Sequence, residues 1–204
     1  MDCLTGLFEA VQHPGVLALG RYEGRLASAV RALKFQGVTR LAEPFAAELA
    51  AQVRRRGWQP SAVTSVPLHP SRLRERGYNQ AALLARSCAR QLGVPWLELL
   101  ERPRSTAQQA RLATHRRAAN TGTAFTLAAA APKVLPSGIL LLDDVLTTGA
   151  TLEACRRVLL AGGADRVWSA AVAIASPRRA TDAARAEAAS DPDMEAGPLF
   201  TGQT

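Results

Sequence analysis

The stretch at residues 139–151, ILLLDDVLTTGAT, limits what this chain can fold into more than any other. Four aliphatic residues run straight into two aspartates, and a small turn of threonines and one glycine follows. A short continuous apolar run bounded by turn residues predicts a strand buried on both faces, as in a parallel sheet covered by helices. In open sheets of this kind ligands bind beyond the carboxyl ends of the strands, where Asp143 and Asp144 emerge. Residues 145–151 lead into a helix expected to begin near Leu152. Its exposed N–H groups and positive dipole end suit an anion, and Thr147, Thr148 and Thr151 add hydroxyl donors. Gly149 allows close backbone approach. The carboxylates suit a different partner, either vicinal hydroxyls or a hydrated divalent cation. A sugar phosphate, with diol and phosphate a few ångströms apart, meets both demands.

The rest of the chain supports an α/β reading. Leu26, Val30, Leu33 and Lys34 recur at helical spacing, Gly37 interrupts, and a second amphipathic run extends from Thr39 to Arg56. A short strand over Ala62 to Val66 ends in a proline-studded loop. The segment YNQAALLARSCARQLG is helical and closes on Gly93, and VPWLELLERPR is strand-like. TAFTL is a strand, the helix after the threonine turn ends on Gly162–Gly163, and RVWSAAVAIA is a closing strand. Residues 1–20 show little pattern. The expected fold is therefore a mostly parallel central sheet flanked by helices, with a small N-terminal helical segment. At 204 residues the chain suits one domain and a short appendage. We divide it into an N-terminal segment 1–21, a domain 22–176 and a flexible tail 177–204.

Net charge is +8, with 23 arginines against 2 lysines, which favours phosphate-bearing partners. No apolar run approaches the ~18 to 20 residues of a membrane span, and the acid at Asp2 argues against a secretory leader. A cytoplasmic location is expected. Cys3, Cys88 and Cys155 are scattered and form neither a disulfide framework nor a metal-ligand cluster.

A second constellation, SVPLHPSRLRERGYNQ, follows the first of these strands. Arg72, Arg74 and Arg76 bring cations to one end of the sheet, but their alternate spacing prevents all three from pointing the same way. Arg74 is read as solvated, and His69 as a structural or surface histidine. A third, RPRSTAQQARLATHRRAAN, is polar and basic; it is read either as a flexible loop over the site or as a basic surface.

ILLLDDVLTTGAT resembles the 5-phosphoribosyl-1-pyrophosphate (PRPP) motif of type I phosphoribosyltransferases. The resemblance implies that Asp143 and Asp144 hold the ribose hydroxyls, with Mg²⁺ accompanying the ligand. It implies that Thr147, Thr148, Gly149, Ala150 and Thr151 cradle the 5-phosphate. VPLHPSRLRERGY is similar to the pyrophosphate loop of glutamine amidophosphoribosyltransferases, which assigns Leu68, His69, Arg72 and Arg76 to that loop. With YEGRLASAVRALKFQG and the third segment, the motifs occur in the order found in ComF/ComFC proteins, which are associated with uptake of single-stranded DNA in natural competence. The flexible loop of such transferases would here present Arg104, Gln109, Arg116 and Arg117 to an anion or to DNA. ComF proteins commonly begin with a four-cysteine zinc module; this chain has only Cys3 there, so zinc is not expected.

Two functions follow from these readings. One is a competence protein that binds a PRPP-type ligand or related nucleotide, with single-stranded DNA and a competence helicase as partners. The alternative is an active phosphoribosyltransferase of nucleotide metabolism without a direct role in DNA uptake. In sequence, aromatic residues interleaved with basic ones are sparse, limited to Trp58, Tyr78 and Trp96.

Overall fold

The computed structural model describes residue 8 and residues 11–13, 15–102 and 124–175. At its centre the apolar run becomes β6 (Gly138–Leu146), whose first five residues are all buried. Two parallel neighbours flank it, β7 (Arg166–Ile174) and β3 (Ala62–Ser65), with Leu142 opposite Ala170 on one side and Ser65 on the other. β2 (Val16–Arg21) pairs parallel with β7, and the short β1 (Val11–His13) pairs antiparallel with β2. The order among the described residues is β1-β2-β7-β6-β3.

Three helices cover one face: α1 (Gly24–Phe35), α2 (Ala42–Arg55) and α4 (Gln80–Leu92). The stripe Phe45, Ala46, Leu49, Ala50 and Val53 on α2 is fully buried and packs with Leu84, Cys88, Leu140 and Leu142. Each large side chain in such a stripe contributes roughly 1.5–3 kcal/mol through burial. The other face carries α5 (Ala150–Ala161), whose Leu152, Cys155 and Leu159 pack on Ile139 and Leu141. A small antiparallel ribbon of β4 (Leu100–Glu101) and β5 (Thr126–Leu127) lies in the same cluster. No helix among the described residues is long and apolar enough to cross a membrane.

The structure departs from the sequence reading in four places. Residues 11–13 and 16–21, in the N-terminal segment that shows little pattern, form the strands β1 and β2 and not a helical segment. The predicted proline loop contains a short helix, α3 (Pro70–Arg76), with Pro70 in its first turn and Gly77 closing it at φ 75. α5 begins at Ala150, two residues earlier than expected. The strand-like segment after Gly93 contributes only a bridge from Trp96 to Val63 and the two residues of β4. Arg104, Gln109, Arg116 and Arg117, together with Cys3 and the tail 177–204, lie outside the described residues.

Candidate functional site

Consecutive residues on a strand face opposite ways, so the two aspartates cannot do the same work. Asp144 continues the face of Leu140 and Leu142, toward α1. Asp143 continues the face of Ile139 and Leu141, toward α5. Asp144 is 3% exposed, and the Lys34 ammonium in the last turn of α1 lies 3.0 Å from its Oδ1. Asp143 is half-buried and accepts the Asp144 backbone N–H at 2.8 Å. Burial pushes the Cys155 thiol up to about 12, and the nearby Asp143 charge adds to the effect. Burial likewise raises the Cys88 thiol to about 12, so both cysteines are inert core residues.

Lys34 is a site residue that the motif reading did not assign. The sequence does hold a signal for it: a lysine on the same stripe as Leu26, Val30 and Leu33 must be buried, and a buried lysine needs an anion. What the sequence cannot supply is the identity of that anion, which lies 110 residues downstream.

Beyond the sheet's carboxyl end these side chains open onto a cavity of about 560 Å³. Its wall carries Arg31, Lys34, Arg72, Arg76 and Arg102 against Asp143 and Asp144. On α3, Arg72 and Arg76 are one turn apart and reach the wall together, while Arg74 is exposed and stays off it. Leu68 and His69 also line the wall. His69 caps α3, accepting the Ser71 N–H on Nδ1 at 3.3 Å with the Ser71 hydroxyl at 2.6 Å. Asn79 ties this loop to the sheet: Nδ2 donates to the Val66 carbonyl at 3.0 Å, while Oδ1 accepts from Ala81 and Ala82 at the start of α4.

Thr147 and Thr151 line the cavity beside the acids. Thr148, Gly149 and Ala150 form the turn behind them. Gly149 has φ 78 and precedes the first residue of α5, and the Ala150 N–H donates to the Thr148 hydroxyl at 3.4 Å. Two buried oxygens on the wall, Asp144 Oδ2 and Gln80 Oε1, have no hydrogen-bond donor within the described structure. Buried acceptors are ordinarily satisfied, so this pair is suited to receive hydroxyl or amine donors from a ligand. At the mouth, Arg76 lies over the Phe35 ring at 4.6 Å and Arg102 over Phe125 at 5.6 Å.

Residues 33–194 match the family described as phosphoribosyl transferase domain. The chain is 33% identical over 164 residues to Competence protein F of Haemophilus influenzae, covering 76% of this chain and 72% of that protein. The chain belongs to the phosphoribosyl transferase domain family, in its ComF group. Two further relatives agree. DNA utilization protein YhgH of Salmonella typhimurium is 34% identical, with 75% of this chain and 70% of that protein covered. Competence protein ComFC of Streptococcus pneumoniae is 30% identical, with 66% and 56% covered. The architecture above is accordingly the type I phosphoribosyltransferase fold, with its acid pair and threonine turn at the carboxyl end of the central strand.

Proposed function

We propose that the chain binds a PRPP-type sugar phosphate, or a related nucleotide, and acts in DNA uptake during natural competence. The observation that carries the ligand reading is the pairing, on one cavity wall, of two donorless buried acceptors with an excess of cationic side chains. Ribose hydroxyls would donate to Asp144 Oδ2 and Gln80 Oε1. The 5-phosphate would sit over the turn at Thr147–Thr151, and the pyrophosphate would meet Arg72 and its neighbours.

Mg²⁺ would be held on this wall by the Asp143 and Asp144 carboxylates together with the ligand's own oxygens, the usual manner of Mg²⁺ with phosphate ligands. The ion would neutralise pyrophosphate charge.

The DNA-uptake role is supported by the names of the relatives, Competence protein F and DNA utilization protein. Single-stranded DNA and a competence helicase are the partners this reading expects, in the cytoplasm. Titration calorimetry with PRPP and Mg²⁺ tests the ligand. Asp143→Asn/Asp144→Asn should weaken binding at least ten-fold; native protein that takes up no PRPP, or a variant that binds equally well, would overturn the assignment.

A further inference from the structure

The chain contains three tryptophans, Trp58, Trp96 and Trp168, which lie far apart in sequence. The fold gathers them at the amino ends of the strands, away from the cavity. Trp168 is the third residue of β7 and stands opposite Leu140; Leu140 stands opposite Val63, and Val63 bridges to Trp96. Three strand spacings, about 14 Å, therefore separate Trp168 from Trp96 along one row of one sheet face. Trp58, just after α2, stacks on Trp168 with ring centroids 6.0 Å apart and planes 23° apart. All three are half-buried at the edge of the α1–α2–α4 core.

Each indole carries an arginine. Arg56 lies over Trp58 at 5.9 Å, Arg166 over Trp168 at 5.6 Å, and Arg86 over Trp96 at 4.2 Å. These arginines are exposed, so each guanidinium is backed by a ring on one side. Further arginines lie on the two helices that precede Trp58 and Trp96: the Arg54 guanidinium on α2 donates to the Gln91 carbonyl at the end of α4, next to Arg90. Glu43 and Glu48 face Arg90 and Arg55 at 2.7 and 2.5 Å and offset their charge.

We infer that this row is a second binding surface, for single-stranded nucleic acid, with bases stacking on the ring-backed guanidiniums and phosphates meeting the neighbouring arginines. Flat guanidinium and indole faces accept any base, and the charge tracks the backbone. A duplex hides its base faces and gains nothing from such a row. The interleaving of aromatic and basic residues that is sparse along the sequence is thus dense in space. The inference stands independently of the PRPP reading, because the two sites occupy opposite ends of the sheet.

The test uses the three tryptophans as reporters, since all of them belong to this row. An oligothymidylate of roughly 12 nucleotides is titrated at low and high salt while indole emission is followed. The expected result is a saturable change in emission, weakened by salt, with duplex of the same length binding more weakly. Arg56→Ala/Arg166→Ala should lower the affinity about ten-fold or more while leaving the melting temperature and PRPP binding unchanged. Absence of oligothymidylate binding, binding without any change in indole emission, or an unchanged affinity in the double variant would overturn the inference. A failure of PRPP binding alone would sink the ligand proposal and leave this one standing.

Discussion

At the scale of single residues, the contact between Lys34 and Asp144 decides how the acid pair works. Both side chains are under 10% exposed, so each charge needs an opposite charge beside it to be tolerable. Lys34→Met keeps the volume and removes the ammonium, stranding a carboxylate in the core. The expected loss of stability is about 3–5 kcal/mol, read by urea denaturation. Lys34→Met/Asp144→Leu should regain most of it, because two apolar residues replace a buried pair at little cost. PRPP binding should stay weak in the double variant, since the acceptor at Asp144 is gone. A double variant that stays as unstable as Lys34→Met alone would mean that Lys34 acts by packing its stem rather than by charge.

At the scale of elements, the threonine turn depends on one backbone conformation. Gly149 sits at φ 78, where a side chain is strained, although a Cβ built there would meet only Leu146 Cδ1 at an ordinary 3.5 Å. Gly149→Ala should therefore cost about 1–2 kcal/mol through the backbone, not through a clash. Thermal denaturation would show it, together with weaker PRPP binding as the turn shifts; an unchanged melting temperature would mean that the turn relaxes at no cost. This element was legible in advance, because acids, threonines and glycine are adjacent in sequence and act through local geometry. The short helix α3 was less so. Its start is marked by a histidine cap and a proline, and the proline reads equally well as a loop residue. The sequence reading already set Arg72 and Arg76 apart from Arg74, and the helix supplies the reason, one turn between the first two. Cross-chain pairings such as Lys34 with Asp144, or Trp58 with Trp168, were beyond reach because nothing local encodes them.

At the scale of the molecule, the first twenty-one residues were set apart in the sequence reading, yet β2 is an interior strand. It lies between β1 and β7, and Leu17, Ala18 and Leu19 on it are fully buried. The segment VLALGR carries too short an apolar run, broken by Gly20, to announce a strand by itself. It becomes one because β7 offers a row of unpaired backbone groups and two helical layers that need covering. Deleting residues 1–21 would expose that row along β7 and open both core clusters at Ala170 and Ala171. Losing Leu17 and Leu19 alone removes roughly 1.5–3 kcal/mol of burial each, and the lost strand hydrogen bonds add to this. Against a typical total of about 5–15 kcal/mol, the remainder is too small for a cooperative fold. Circular dichroism of the truncated chain should show no sharp thermal transition, and PRPP binding should vanish with it. A truncated chain that melts cooperatively and still binds PRPP would show instead that β7 can serve as an edge, and that the acid pair is supported from α1 and β6 alone.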